Sequence, residues 1–132
     1  MKRRPALLQL SRDHHTALVL AKRIAAAHDD DAIDALIATV PGTFAHELEP
    51  HFQAEEGDLL PRLRAAGEAA LVARTLDEHR LLRALAARIG AGDRASLAPF
   101  GLALHDHVRF EERELFVTAE RVLPAAFLDF AT

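Results

Sequence analysis

The sequence contains no cysteine, no tryptophan and no tyrosine, and only six prolines and six glycines among its 132 residues. The absence of cysteine excludes disulfide bonds, thiol redox chemistry, cysteine-ligated iron–sulfur clusters and zinc sites of the cysteine type. Histidine, in contrast, occurs eight times. Because imidazole is the commonest metal ligand among side chains, this number is the first sign of chemistry in the chain.

Residues that favour β-strands are also scarce. Half of the chain is apolar, but alanine and leucine supply most of that half, and valine and isoleucine are few. This composition favours an all-α fold. A chain of 132 residues is long enough to form its own hydrophobic core, so we expect a single domain over residues 1–132.

The charge of the chain is unremarkable in sign and size. The formal net charge is −4 at pH 7, which offers no basic surface to nucleic acid or to anionic lipid. The basic start of the chain precedes an apolar run that Gln9, Ser11 and Arg12 interrupt, so the run is too short for a signal peptide. No stretch is long enough to span a membrane. We therefore expect a cytoplasmic protein with neither nucleic acid nor membrane as partner, of unknown oligomeric state.

Four long amphipathic stretches, separated by clusters of helix-breaking residues, predict four helices. Short connections between long helices favour antiparallel neighbours, hence an up-down-up-down four-helix bundle. A short piece over residues 31–40 is expected to stop at Pro41–Gly42, and Pro50 should kink the second helix. A last short piece is expected to pack Phe127 and Phe130 on the bundle. The predicted helices cover residues 11–28, with Ser11 as N-cap, 43–64, 68–89 and 96–122.

The chain contains an internal repeat. Residues 51–60, HFQAEEGDLL, align with residues 107–116, HVRFEERELF, and the histidine, both glutamates and the ninth-place leucine coincide. Residues 13–26 align with residues 78–91, which places the histidine of RDHH over the histidine of DEHR. The first two helices therefore resemble the last two, and this indicates a duplicated helical hairpin.

Every predicted helix directs one histidine towards the apolar interior, and two helices add a glutamate. Residues four apart lie on one helix face, so the spacing His-x-x-x-Glu stacks a carboxylate above the histidine. Buried polar groups, above all unpaired carboxylates, are costly unless something binds them, and a cluster of metal ions does so. Hydrogen-bonded His–Glu pairs in a core without metal are the alternative. The six inward residues are His14, His51, Glu55, His79, His107 and Glu111.

Imidazole and carboxylate ligands without sulfur suit iron, zinc, manganese or copper. Two carboxylates on facing helices can each bridge two ions, and four imidazoles then supply two ligands to each ion, which describes a dinuclear site. Ferritin-like di-iron proteins use a Glu-x-x-His motif, and that motif does not occur in this sequence. In the absence of metal, we expect the carboxylates to take up protons or water to enter the site.

The other polar residues near these motifs have ordinary interpretations. Glu56 and Glu112 lie about 100° round their helices from the inward glutamates, and we interpret them as solvated or salt-bridged. Four histidines fall off the inward faces and are interpreted as surface residues: His15, His28, His46 and His105.

Four motifs together carry a family resemblance. The combination of RDHH, ELEPHFQAEEGDLLPRL, LDEHRLL and LHDHVRFEERELF resembles the hemerythrin-like (HHE cation-binding) domain family over about residues 7–123. The resemblance implies a four-helix bundle that holds two iron ions with an oxo or hydroxo bridge, with zinc or manganese as other candidates. It also implies that the four inward histidines are terminal ligands and that Glu55 and Glu111 bridge the ions.

This sequence departs from the hemerythrin pattern at one ligand. Hemerythrins carry a fifth histidine one turn before or after the ligand of the third helix, and here those positions are Thr75 and Arg83. Glu47, one turn before His51, or a water molecule would then be the additional ligand.

These observations predict a non-haem di-iron protein that binds a small ligand such as dioxygen, nitric oxide or a peroxide, as a sensor or store. The missing fifth histidine weakens the case for reversible oxygen carriage. One alternative is a di-iron oxidoreductase for peroxide breakdown, ferroxidation or iron donation in iron–sulfur repair. A structural bundle with zinc in the site is another. The sequence leaves open whether the protein is an enzyme.

Overall fold

The structure is a computed structural model that describes residues 3–129. Nearly all of these residues are helical and none of them belongs to a β-strand, which confirms the all-α prediction. Within this range, no helix combines the length and the apolar character that crossing a lipid bilayer requires.

The helices form four long segments. The first segment is Pro5–Ala26 and the third is Ala69–Gly90. The second runs without interruption through Asp30–Thr43, a π-helical turn Phe44–Leu48, Glu49–Ala54, a second π-helical turn Glu55–Leu59, and Leu60–Ala65. The fourth follows a 3-10 turn at Arg94–Ser96 and comprises Leu97–Phe110, a π-helical turn Glu111–Leu115, and Phe116–Val122. A short helix, Ala125–Leu128, comes last.

The first segment begins earlier than the sequence predicts. Pro5 lies at its first turn, where the missing N–H of proline is no loss because the first amides of a helix have no partner inside it. Ser11, the expected N-cap, lies within the helix instead, and its hydroxyl donates a hydrogen bond to Glu112 of the fourth segment. A capping residue in the sequence is therefore used for a contact between helices.

The dipeptide Pro41–Gly42 does not end a helix, contrary to the sequence-based expectation. The helix continues through it into the turn Phe44–Leu48. Val40 and Phe44 on either side are both buried, so burial of these side chains outweighs the low helix propensity of proline and glycine.

Two of the three π-helical turns end two residues before a proline. Phe44–Leu48 is followed by Pro50, and Glu55–Leu59 by Pro61. A proline ring conflicts with the carbonyl four residues earlier, and the wider turn relieves that conflict. No proline follows the third turn, Glu111–Leu115, but that turn begins at an inward glutamate, as Glu55–Leu59 does. π-Helical turns inside α-helices are frequent at functional sites.

Glycine ends the second and third segments. Gly67 has φ 89° and Gly92 has φ 92°, a left-handed conformation that costs glycine little. The amides of Glu68 and Asp93, one residue further on, donate to the carbonyls of Leu63 and Arg88. This is the six-to-one hydrogen bond of a Schellman motif, and it turns the chain back sharply after each segment.

Two hydrophobic clusters form the core. One includes Leu20, Phe52 and Phe100, and the other includes Leu7 and Phe116. Each segment contributes to both clusters, and the inward histidines and glutamates lie along each segment where one cluster gives way to the other. The first segment packs on the fourth, the fourth on the third, and the third on the second.

The short last helix packs on the second of these clusters. Leu128 is buried there and Phe127 is partly buried against it, which agrees with the sequence-based expectation for this piece. Phe130, the other aromatic residue expected to pack, lies outside the described residues.

Candidate metal centre

Six polar residues form a layer between the two hydrophobic clusters, and we call them the central six. Each is at most 5% exposed, so all of them are withdrawn from water. They are the six inward residues of the sequence analysis: His14, His51, Glu55, His79, His107 and Glu111.

The central six divide into two overlapping groups that can each hold a metal ion. His14 and His51 belong to one group, and His79 and His107 to the other. Glu55 and Glu111 belong to both. Within each group the ligand atoms lie within 4.8 Å of one another. One histidine pair therefore serves each group, and the glutamates are shared.

The carboxylate of Glu55 spans the two groups. Its Oε2 lies 3.3 Å from Nε2 of His51, whereas its Oε1 lies 3.1 Å from Nε2 of His79. One oxygen thus faces each histidine pair.

Glu111 spans the groups in the same way. Its Oε1 lies 2.8 Å from Nε2 of His14, and its Oε2 lies 3.1 Å from Nε2 of His107. Two carboxylates that each present one oxygen to either side have the arrangement required to bridge a pair of ions.

A second set of acids surrounds the histidines, and we call them the outer carboxylates. Each accepts a hydrogen bond from the Nδ1 atom of one histidine on another segment. The acid of the first segment binds the histidine of the second, and the acid of the second segment binds the histidine of the third. The acid of the third segment binds the histidine of the fourth, and the acid of the fourth segment binds the histidine of the first. The four contacts are Asp13 to His51 at 3.1 Å, Glu56 to His79 at 2.6 Å, Glu78 to His107 at 2.7 Å and Glu112 to His14 at 2.6 Å.

The outer carboxylates determine which ring nitrogen faces the centre. A histidine that donates its Nδ1 proton to a carboxylate has its Nε2 lone pair free, and the hydrogen bond orients the ring. In all four histidines, Nε2 is the atom close to the glutamates of the central six. The rings are therefore set to offer Nε2 as a metal ligand.

The sequence analysis predicted only part of what the outer carboxylates do. Glu56 and Glu112 are salt-bridged as interpreted, to Arg83 and Arg3, but they also hold histidines. For Asp13 and Glu78, the sequence analysis makes no prediction. A signal was present, because each outer carboxylate is the chain neighbour of one of the central six, and the repeat aligns the outer carboxylates in two pairs.

Five buried atoms of the central six have no aligned hydrogen-bond partner within the described residues. They are both carboxylate oxygens of Glu55, Oε2 of Glu111, and Nε2 of His79 and His107. Buried polar atoms without partners are costly, and these five converge on the same space. Nitrogen and oxygen donors without sulfur suit iron, manganese or zinc, so the residues present fit a metal pair.

The charges of the central six shift the pKa values of the histidines in the metal-free protein. Burial lowers the pKa of His51, but the negative charges of Glu55 and Glu111 and the hydrogen bond with Glu111 outweigh it and raise the pKa to about 11. The same balance raises the pKa of His107 to about 10 and that of His79 to about 9.

The pKa of Glu111 shifts in the opposite direction. Burial raises the pKa of Glu111, but the charge of His107 and hydrogen bonds from the surrounding histidines hold it well below the usual range. Without metal, protons therefore reside on the imidazoles and not on this carboxylate. Of the two outcomes expected without metal, uptake of protons by the carboxylates is wrong for Glu111, because four imidazoles surround it and accept the protons instead. Entry of water stays a prediction.

Two phenylalanines fix the faces of two histidine rings. Phe52 stacks on His79 with ring centroids 4.0 Å apart, and Phe116 stacks on His14 with centroids 5.3 Å apart. These apolar faces keep water from the rings and leave the nitrogen edges as their only polar contacts.

The structure provides no fifth nitrogen ligand from the described part of the chain. Thr75 is fully buried one turn before His79, but its hydroxyl donates to the carbonyl of Leu71. Arg83 extends outward to Glu49 and Glu56.

Glu47, the suggested additional ligand, is exposed and belongs to neither group. The reason is local: Glu47 lies in the π-helical turn Phe44–Leu48, whose extra residue rotates the preceding positions away from the face of His51.

The remaining histidines lie off the centre, as interpreted from the sequence. His15, next to His14 in the chain, is exposed, and so are His28 and His46. His105 is half-exposed and contacts Asp106.

Comparison with known proteins identified one family. A sequence model described as the hemerythrin HHE cation-binding domain matches residues 7–119, a range that contains all of the central six and the outer carboxylates. Neither a search of curated proteins nor a search of solved structures returned a match.

Proposed function

The chain belongs to the hemerythrin HHE cation-binding domain family, and from that premise we propose that it is a non-haem di-iron protein. It binds a small ligand such as dioxygen, nitric oxide or a peroxide, and acts as a sensor or store. Glu55 and Glu111 bridge the ions, and the four buried histidines are terminal ligands, two to each ion.

One observation carries the dinuclear assignment. Each of the two buried glutamates presents one oxygen to either histidine pair. A single ion held by one histidine pair would bind one oxygen of each carboxylate, and the other oxygen, which faces the second histidine pair, would have no metal to bind. Two ions use all four oxygens.

The surrounding residues prepare the ligands. The outer carboxylates hold a proton at Nδ1 of each histidine and so keep Nε2 directed at the ions. The stacked rings of Phe52 and Phe116 exclude water from the histidine faces. When bound, two iron ions supply redox chemistry and coordination positions that the protein does not fill.

A small ligand has room to bind because the protein donors are few. Each ion would receive two imidazole nitrogens and two carboxylate oxygens from the central six, whereas iron accepts about six ligands in octahedral geometry. The hydrophobic clusters on either side favour a small, neutral ligand over a hydrated ion.

We also infer that the four segments run up-down-up-down, as a duplicated hairpin would. Two observations support this direction. The first and third segments pass from the cluster of Leu7 to the cluster of Leu20 along the chain, and the second and fourth pass the opposite way. The connections at Gly67 and Gly92 are short and reverse the chain.

The decisive experiment measures the number of ions per chain. Metal-free protein is loaded with ferrous iron without oxygen, desalted and analysed for bound metal. We expect two ions per chain, and one or none in Glu55→Gln, because an amide has a single oxygen ligand. Glu114→Gln removes an exposed carboxylate outside the centre and should leave two ions bound. Wild-type protein that saturates at one ion would contradict the proposal.

A second measurement tests the small ligand. Ferrous protein is exposed to nitric oxide or dioxygen, and the absorption spectrum is recorded before and after removal of the gas. With no tryptophan and no tyrosine in the chain, near-ultraviolet iron bands are almost free of protein absorption. We expect a spectral change that saturates with gas concentration, whereas zinc in the isolated protein and no such change would favour a structural bundle.

A di-iron oxidoreductase is the second candidate, and the symmetry of the site favours it. Both ions would have the same donor set, so neither is saturated by the protein while the other stays open. A peroxide could then contact both ions. Consumption of many peroxide molecules per chain would favour the enzyme, and binding of one would favour the sensor or store.

A further inference from the structure

Two clefts reach the central six from the surface, at positions that the internal repeat makes equivalent. The first, which we call the Asp13 cleft, has a volume of about 620 Å³ and is lined by Asp13 and His51 among others. The second, the Glu78 cleft, has a volume of about 340 Å³ and is lined by Glu78 and His107. Each cleft thus ends at one outer carboxylate and the histidine that it holds.

The two outer carboxylates are held differently. Glu78 accepts from Nδ1 of His107 at 2.7 Å and from Nε of Arg74 at 2.9 Å, and Arg74 itself lies 3.9 Å from the ring centroid of Phe110. An arginine thus neutralises Glu78 at its cleft.

Asp13 has weaker partners. It accepts from Nδ1 of His51 at 3.1 Å and from the side-chain amide of Gln9 at 2.8 Å. No lysine or arginine of residues 3–129 forms an ion pair with Asp13. The carboxylate of Asp13 is therefore less neutralised than that of Glu78, because both pair with a histidine but only Glu78 also pairs with an arginine. The contact between Asp13 and His51 is also the longest of the four outer contacts.

The side chains that line the two clefts also differ in negative charge. The Asp13 cleft also contains Glu47, which has no ion pair within the described range, and Asp58, which pairs with Arg62. The Glu78 cleft is bounded by Leu81, Pro99 and Leu102 in addition to Asp106. Both clefts also have apolar lining, but a hydrated cation meets three carboxylates in the first cleft and two in the second.

We propose that metal ions enter and leave the centre through the Asp13 cleft. Glu47 and Asp13 attract the hydrated divalent cation, and His51 is the first of the central six that it meets. This inference rests on the proposed dinuclear centre. It also assigns a role to Glu47, whose exposed carboxylate the dinuclear centre does not use.

Cobalt(II) is a suitable probe because its visible absorption changes when water is replaced by imidazole and carboxylate. Metal-free protein is mixed rapidly with cobalt at low ionic strength, and the rate of uptake and the final number of ions are recorded. Removing a carboxylate that steers a cation should slow uptake several-fold, since steering of this kind changes association rates by about ten- to a thousandfold in favourable cases.

The matched variants are Glu47→Gln in the Asp13 cleft and Asp106→Asn in the Glu78 cleft. We expect Glu47→Gln to slow uptake at least about threefold, with this difference vanishing at high salt, and to leave two ions bound at the end. Asp106→Asn should bind cobalt at the wild-type rate. Equal rates in both variants, or slower uptake only in Asp106→Asn, would overturn the proposed route.

A second pair of variants distinguishes an effect on the entry of metal from an effect on the orientation of the ligand histidines. Asp13→Asn and Glu78→Gln each weaken the hold on one histidine, so both should release cobalt faster to a chelator. Only Asp13→Asn should also slow uptake. Slower uptake in both variants to the same extent would assign the effect to histidine positioning and contradict the route. Wild-type protein that binds fewer than two cobalt ions would instead contradict the dinuclear centre itself.

Discussion

Two neighbouring histidines near the middle of the first segment have opposite environments. Both ring nitrogens of His14 contact carboxylates, Nδ1 with Glu112 at 2.6 Å and Nε2 with Glu111 at 2.8 Å, while His15 is exposed. We predict that His14→Ala loses at least one of the bound ions. His15→Ala should keep both, with a free energy of unfolding within about 0.5 kcal/mol of wild type. Metal analysis of the two purified variants tests this, and loss of metal from His15→Ala would refute the assignment.

The outer carboxylates offer a second prediction at the scale of single residues. Glu78 orients His107, whereas its chain neighbour Asp77 is exposed and pairs with Arg80 at the surface. We expect Glu78→Gln to weaken metal binding about 10- to 100-fold, because partners of ligating histidines have effects of that size. Asp77→Asn is the control and should bind metal as wild type does. Competition with a chelator of known affinity measures both, and equal affinities would show that the outer contact is incidental.

Where helices meet, one glycine allows the first and fourth segments to approach. A Cβ atom added at Gly101 would lie 2.7 Å from Cγ2 of Ile24, and the β-branched side chain of isoleucine has little freedom to move away in a helix. We predict that Gly101→Ala lowers the free energy of unfolding by about 1–3 kcal/mol, as overpacking does.

Gly42 is the matched control, since it also lies in a helix but has nothing within 4 Å of an added Cβ. Gly42→Ala should stabilise the protein by up to about 1 kcal/mol through helix propensity alone. Denaturant unfolding of both variants gives the comparison. If both substitutions stabilise the protein, the contact between the two segments is looser than described.

For the molecule as a whole, the metal-free state should depend on pH in a defined direction. The pKa values of His79, His107 and His51 are raised to about 9, 10 and 11, against about 6.5 in an unfolded chain. A raised pKa in the folded state contributes stability that is fully present below about pH 6.5 and is lost as the pH rises through the folded value.

The metal-free protein should therefore melt at progressively lower temperature between about pH 7 and pH 11. Circular dichroism melts across this range test the prediction. In the metal-bound protein the imidazoles carry no second proton, so the same melts should show a much smaller dependence. A melting temperature of the metal-free protein that rises with pH would contradict the protonated imidazoles.

Removal of the metal should weaken the fold without unfolding it. The helices are rich in alanine and leucine, and both hydrophobic clusters are formed by residues other than the central six. We expect near-native helix content in the metal-free protein at neutral pH, a clearly lower melting temperature, and recovery on addition of ferrous iron. Identical melting temperatures with and without iron would favour a core of His–Glu pairs that needs no metal.

Much of the helical architecture was open to prediction because its causes are local. Apolar residues recur with the 3.6-residue period of a helix, and this pattern places four histidines on apolar faces. The structure buries all four: His14, His51, His79 and His107. The third segment was predicted within one residue at each end, since Gly92 and the turn at Gly67 mark its limits. The start of the first segment and the passage through Pro41–Gly42 were predicted wrongly, because burial and contacts between helices outweighed the local signals there.

The sequence by itself determined that the chain is helical and which residues of each helix face inward, because both follow from contacts within about one turn of a helix. Only the tertiary structure decided which carboxylate meets which histidine. Asp13 and Glu78 hold histidines of the following segment, and Glu112 reaches back across 98 residues to His14. These pairings join side chains from different segments, so they depend on the order in which the segments pack, and that order is not encoded in any single stretch of the chain.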